Sequence, residues 1–445
     1  MPSKQPSAAE NPPAASLLFP VMAGIFFFIT IIKFGSPIVI DHYIDAPESV
    51  GAAFFEIWPP HWGGWLFAPV ALAGLLAIQM DRVRFHWALL LPAVWLGWEF
   101  LSATQTVSPQ LTKLTLAQFT ICVALFYLGF LARKGMANPW PIWVGMGLAL
   151  CWFMRAGMEQ HFGGLEATRK MLAASPQAAG VNPKLLADPE YMKRLASNRI
   201  FGTFGGYANS LAGGLVLLTP LTLVFLWRLT PKVRTQIRVL FVLILGGCAL
   251  GCLYWSGSKA GWLVALVMGL VALWHSALPL KWRRWLIGGV LIVGVTGFAF
   301  KYAAFFQKDR NSVGARFVYW RAALLVTRHH PIMGTGPGTF QIPFAQIKDP
   351  ADEMARLCHN DYLEQASDSG ICGFISYTAM VLVMIMSLYR YSTINRPLNW
   401  LSFAIWLGIF GLWLHSFVEF HLYVPALAWP LFFLCGWLMS QYKYR

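Results

Sequence analysis

The sequence predicts an all-α polytopic membrane protein, and three observations carry that prediction. Of 445 residues, 57% are hydrophobic and 12% charged, about half the ~25% charged residues of a soluble domain. The apolar residues fall in runs near the ~20 residues a helix needs to cross a bilayer. These runs are continuous rather than alternating, which argues against a transmembrane β-barrel. The net charge of +15 does not mark a nucleic-acid partner. Much of the Lys and Arg sits in short connections between apolar runs, where it sets orientation.

Taken in order, residues 1–16 are rich in Pro, Ala and Ser, with only Lys4 and Glu10 charged, and read as a disordered cytoplasmic tail. Twelve spans follow, at about 17–40, 62–79, 87–103, 114–132, 140–157, 207–227, 238–255, 260–276, 285–303, 370–389, 399–418 and 425–440. The first run is too long for the core of a signal peptide and is expected to be an uncleaved helix. Five spans thus occupy 17–157 and four occupy 207–303. Three more, with a short tail, occupy 370–445. Long loops at 158–206 and 304–369 separate the three groups. The even-numbered connections carry the positive charge: Arg82 and Arg84; Arg133 and Lys134; Arg228, Lys232, Arg234 and Arg238; Lys281, Arg283 and Arg284; Arg390 and Arg396. Lys443 and Arg445 add to it in the tail. Lys113 and Lys259 are the exceptions in short opposite connections. This asymmetry puts both termini in the cytoplasm and both long loops outside. Of seven cysteines only Cys358 lies in a loop, so no disulfide framework is expected. Cys248 and Cys252, four apart, read as packing residues rather than metal ligands.

Polar residues at the outer edge then carry the chemistry. Asp41 and Asp45 in the first outer loop are either a metal site or base, or ordinary acidic surface. In the first long loop, helices are expected over Leu165 to Ala174 and from Asp188-Pro189, a capping residue followed by Pro in the first turn, through Glu190 to Ala196. They deliver Arg199 and the glycines at 202, 205 and 206 to the next span. Arg199 suits an anion or, equally, a lipid headgroup. Lys259 breaks the orientation rule, by snorkelling or by function. In the second long loop a surface helix is expected from Val313 to about Arg328, with Arg316, Trp320 and Ala323 on one face. Phe317, Leu324 and Leu325 face lipid or core. The stretch Gly334-Thr335-Gly336-Pro337-Gly338 lacks the Lys-Ser/Thr of a P-loop and reads as a turn, or as a backbone nest for an anion. Last comes His359-Asn360-Asp361-Tyr362-Leu363. Its histidine is either a loop hydrogen-bonder or a group able to take and return a proton near neutral pH.

Four blocks together resemble the O-antigen ligase superfamily, which includes O-antigen polymerases and protein O-oligosaccharyltransferases. They are Arg199 with Tyr207-Ala208-Asn209-Ser210-Leu211-Ala212-Gly213; Ser258-Lys259-Ala260-Gly261-Trp262; Arg316 through Gly334–Phe340; and the His359 block followed by Gly370 and Gly373. The sequence departs from the family pattern at Ala208, where Pro is usual, at Lys259, where Arg is usual, and near Asp368, where Glu is frequent.

The resemblance implies a GT-C-like helical fold and a bacterial inner-membrane glycosyltransferase with its site facing the periplasm. It implies a polyprenyl-diphosphate-linked glycan donor, such as an undecaprenyl diphosphate. The acceptor hydroxyl is carried by lipid A-core, as in lipopolysaccharide biosynthesis, or by a glycan or a protein, with membrane lipids around. It implies His359 as base and Arg316 and Arg199 as diphosphate clamps, with inversion and with no metal or other cofactor. Lys259, Tyr207, Asn209, Arg321, Asn360 and Asp361 are the candidate substrate-binding residues. Two alternatives from other classes remain: a metal-dependent lipid-phosphate-sugar glycosyltransferase using Asp41 and Asp45, and a flippase, for which Glu99, Arg155 and Glu419 are the ionisable candidates.

Overall fold

A computed structural model describes residues 14–79, 86–136, 138–174, 186–187, 189–306, 312–394 and 398–441. Residues 1–13 of the expected tail lie outside this set, as do Arg82, Arg84, Arg396, Lys443 and Arg445. All regular structure among the described residues is helical. In chain order the helices are α1 (Ala14–Lys33), α2 (Val50–Phe55), α3 (Trp62–Leu76), α4 (Leu91–Ser102), α5 (Pro109–Leu131), α6 (Trp140–Glu159), α7 (Leu165–Ala174), α8 (Pro189–Ala196) and α9 (Ala208–Leu229). They continue as α10 (Thr235–Ser256), α11 (Lys259–His275), α12 (Leu280–Phe306), α13 (Ser312–His329), α14 (Gln341–Ile347), α15 (Asp361–Ile394), α16 (Trp400–His415) and α17 (Pro425–Met439). Among the described residues seven stretches are long and apolar enough to cross a membrane, and five shorter apolar helices stand at the positions of the other expected spans.

The bundle is built around α17, every residue of which is buried. A helix apolar on all sides has no face to turn to water and belongs in an interior. Close approach is set by small residues, as expected where lipid supplies no hydrophobic drive between helices. A Cβ on Gly436 would lie 1.9 Å from the Phe126 carbonyl, and one on Gly129 would lie 2.4 Å from that of Phe433. The α5–α17 seam is therefore glycine against backbone in both directions. The α1–α6 and α9–α16 pairs use the same device: a Cβ on Gly145 would meet the Gly24 carbonyl at 2.0 Å, and one on Gly408 would meet that of Leu217 at 2.2 Å. By contrast α12 packs chiefly on α11 and lies at the periphery.

The connections sort to two ends. At one end the connections expected on the outer side are linked pair by pair. Gly35 packs on Thr203, Arg356 lies over Tyr43, and Lys193 pairs with Glu353. Val107 N–H donates to Thr335 O, Arg199 to Ser256 O, and Arg316 to Val418 O. At the other end Arg228 reaches Asn399, Arg133 stacks on Trp437, and Gly135 abuts Ala77.

Three boundaries differ from expectation. Helix α1 already includes Ala14, inside the segment 1–16 expected as a tail. It ends at Lys33 rather than near 40: Gly35-Ser36-Pro37 breaks it, and a 3-10 turn, Ile38–Tyr43, follows. The third correction matters most. Helix α15 begins at Asp361, not Gly370, and bends at Gly370, whose φ is 69°. Residues 361–369 are thus a short helix rather than the end of a loop, and they are almost wholly buried.

Candidate active site

The bend at Gly370 and the loop 334–340 are one construction. Gly336 N–H donates to Asp368 O at 2.8 Å and Thr335 N–H to Ser367 O at 3.1 Å. Gly338 N–H donates to Asp368 Oδ2 at 2.6 Å, where Tyr423 OH also donates at 3.0 Å. The glycine turn therefore forms a backbone nest around the carboxyl of the protein's own Asp368. The loop fastens the short helix 361–369 and, through Pro331 O to Ile371 N, the end of α13. On the other side of the short helix Ser369 donates to Glu99 Oε2 at 2.6 Å, and Trp95 donates to Gln365 Oε1 at 2.6 Å.

This scaffold presents His359 just before the helix. Its φ of 56° makes it the one non-glycine residue of positive φ among the described residues, an uncommon backbone state that marks functional positions. Asn360 holds the turn: its Oδ1 accepts from Tyr362 and Leu363 N–H at 3.0 and 3.1 Å, as an N-cap. Trp320 Nε1 donates to His359 O at 3.4 Å. The imidazole lies between Tyr319, stacked at 5.9 Å, and Phe420, edge-on at 4.7 Å. Its side chain remains 24% exposed, so it is reachable.

Both expected arginines arrive at the same place from different connections. Arg316 projects from α13, with Trp320 and buried Ala323 on its face and exposed Phe317 and Leu324 away from it. It donates through Nε to Val418 O at 3.0 Å and pairs with Glu419. Arg199 donates through Nε to Ser256 O at 2.7 Å and through NH2 to Asn209 Oδ1 at 2.6 Å. Asn209 in turn donates to Glu419 Oε1 at 2.5 Å, and His359 Nδ1 lies 3.2 Å from Glu419 Oε2. Glu419, with 2% of its side chain exposed, therefore contacts both His359 and Arg316 and reaches Arg199 through Asn209. Burial alone would push its carboxyl up, but the Arg316 guanidinium and the His359 ring more than reverse this and hold it well below the usual carboxylate range.

The remaining expected residues are placed as follows. Lys259 opens α11, directly after the turn on which Arg199 rests: a Cβ on Gly257 would lie 3.3 Å from Arg199 Nε. Tyr207 packs under Arg194 at 4.2 Å and edge-on to Phe420. Arg321 is exposed on α13. Asp361 is fully buried and accepts from Leu422 N–H at 3.1 Å. Asp41 takes His61, through the main-chain N–H at 2.8 Å and the ring at 2.9 Å, while Asp45 is exposed. Of the three ionisable residues assigned to a transport path, Arg155 pairs with Glu159 on the exposed side of α6, Glu99 is buried against Ser369, and Glu419 pairs with Arg316. Sequence reasoning left Glu419 out of the site. Its signal was slight: a lone carboxylate between Val418 and Phe420, in a short connection at the edge of an apolar run.

Residues 244–378 match the model of the family described as O-Antigen ligase. The match spans Lys259, Arg316 and His359, and leaves Arg199 and Glu419 outside it. An uncharacterized protein of Haemophilus influenzae is 28% identical over 155 residues, covering 29% of this chain and 38% of that protein. The chain therefore aligns with well under half of that relative's length.

Proposed function

We propose that this chain is a member of the O-antigen ligase superfamily, which the match over residues 244–378 supports, and that it moves a glycan from a polyprenyl diphosphate to an acceptor hydroxyl at the periplasmic face of a bacterial inner membrane. The family supports a membrane glycosyltransferase of ligase or polymerase type. The finer reading rests on one observation: Arg199 from the first long loop, Arg316 and His359 from the second, and Glu419 from a short connection meet in one linked set.

In this reading the chain crosses twelve times, with the positively charged end in the cytoplasm. The segregation of odd and even connections to opposite ends supports it. The acceptor oxygen attacks the anomeric carbon from the face opposite the diphosphate, so the centre inverts. The carbon–oxygen bond to diphosphate breaks and its electron pair leaves with the diphosphate. The acceptor proton passes to His359. Arg199 and Arg316 meet the charge growing on the leaving group, for which a planar guanidinium fork is suited. Lys259 supplies a third cation. Its place at the first position of α11 is one that the helix dipole disfavours for a cation unless an anion stands near. Diphosphate is already a good leaving group, so the reading calls for no metal. Asp41, engaged by His61, lends no support to a metal-dependent alternative.

The acceptor is tested in a deletion strain by analysing the lipid-linked glycans. Full-length glycan stranded on its carrier identifies a ligase, and stranded single repeat units identify a polymerase. Unchanged surface glycan with no stranded carrier contradicts the proposal. Purified protein is expected to keep transferring in the presence of a chelator.

A further inference from the structure

A histidine base needs its ring held in one tautomer, and we infer that Glu419 does this. It acts as a positioning residue that keeps the resting proton of His359 on Nδ1 and so turns Nε2 to the acceptor hydroxyl. The inference rests on the reading of His359 as the base.

The geometry argues it through the count of donors and acceptors. Glu419 Oε1 receives Arg316 and the Asn209 amide. Its Oε2 stands 3.2 Å from His359 Nδ1. An ionised carboxylate only accepts, so the proton between Oε2 and Nδ1 belongs to the ring nitrogen. Neither partner is free to swing away. Glu419 is buried and tied on its other oxygen. The imidazole is enclosed by Tyr319 and Phe420, and its backbone is held by Trp320 at the carbonyl. Glu419 thereby makes one carboxylate serve two roles. It orients the base, and it anchors the inner side of the Arg316 guanidinium. In the transfer step the acceptor proton arrives at Nε2, and the imidazolium so formed keeps Nδ1–H on Glu419, whose charge stabilises it. No proton needs to pass to Glu419.

A plain ion pair with Arg316 would account for part of this, and Glu419→Gln separates the two roles. The glutamine carbonyl can still take Arg316 and Asn209, both donors. Its amide NH2 then faces Nδ1, and donor meets donor unless the ring proton moves to Nε2. The base would then present N–H, not a lone pair, to the acceptor. Loss of the correct tautomer in a hydrolase triad costs about 10⁴ in kcat.

The test uses the full chain in nanodiscs with 15N-labelled histidine. The His359 signals are assigned by their loss in His359→Ala. The wild type is expected to show Nδ1–H and Glu419→Gln to show Nε2–H. With donor and acceptor supplied, Glu419→Gln is expected to lose about 10² to 10⁴ in kcat with a donor KM within a few-fold of wild type. The double variant His359→Ala/Glu419→Gln is expected to be no slower than His359→Ala alone, because both changes remove one device. If Glu419→Gln does not accumulate, Glu419→Asp is used, which keeps the charge but withdraws it by one methylene. It is expected to show a mixed tautomer. Persisting Nδ1–H in the folded variant, or independent and multiplicative losses in the double variant, overturns the inference. Wild-type turnover in His359→Ala sinks instead the reading of His359 as base. The tautomer measurement needs no turnover, so the two failures are told apart.

Discussion

Arg199 NH2 donates to Asn209 Oδ1 at 2.6 Å, so the first arginine of the site is held by a residue of the membrane helix α9. The same amide donates to Glu419, which makes Asn209 a link from Arg199 to the carboxylate that pairs with Arg316. A hydrogen bond to a charged group contributes about 1.5–3 kcal/mol. Asn209→Leu is therefore expected to lower transfer by roughly 10- to 100-fold while the protein still accumulates. Asn209→Asp is expected to be worse, because it sets a second carboxylate against buried Glu419. Initial rates of the purified variants, at matched protein, check both. Full activity of Asn209→Leu would remove this residue from the site.

Gly338 is the residue on which the loop around Asp368 turns. Its φ is 78°, and a Cβ there would lie 2.1 Å from Thr115 Oγ1. A side chain in that backbone state costs of order 1–3 kcal/mol before any clash is counted. Gly338→Ala is expected to lower the thermal unfolding midpoint in detergent by several degrees. Gly297, on α12, has open space where its Cβ would stand, and Gly297→Ala is expected to leave the midpoint in place. Equal midpoints for the two variants would mean that the nest does not hold the fold together.

Topology is checked with thiols. Cysteines at Ala345, exposed on α14, and at Lys232, exposed between α9 and α10, are treated in intact cells with a membrane-impermeant maleimide. Labelling is expected at 345 and not at 232. Native Cys358 is expected to stay silent until the protein is denatured. It is fully buried, and that burial, with Glu364 beside it, pushes its thiol well above the usual range. Labelling at 232 would reverse the orientation and take the site out of the periplasm.

The sequence disclosed the helices well because hydropathy is a local property. The apolar runs at 114–132 and 425–440 became α5 and α17 with small shifts of their ends. The first long loop holds helices at the expected places, Leu165–Ala174 and, as α8, Pro189–Ala196. What hydropathy hid is burial of polar residues. The stretch 361–369 carries Asp361, Glu364 and Asp368 and reads as loop, yet it is an interior helix. Its partners, Trp95, Glu99, Gly338 and Tyr423, come from three distant parts of the chain. The glycine run at 334–338 left a turn and a nest undecided for the same reason, since the carboxyl it holds lies thirty positions on. Arg199, Arg316 and His359 stand out in the sequence by residue type and context, and the structure brings them together. Glu419 does not stand out, because a lone carboxylate at the edge of an apolar run has no local pattern to set it apart from surface.

The central claim is that His359 takes the proton from the acceptor while the arginines hold the donor. Its most direct test compares wild type with His359→Ala, purified and supplied with a polyprenyl-diphosphate-linked glycan and an acceptor. Donor binding and transfer are measured separately. His359→Ala is expected to fold, to bind the donor as wild type does, and to transfer about 10² to 10⁴ times more slowly, the range for loss of a general base. Transfer by His359→Ala at the wild-type rate would contradict the account.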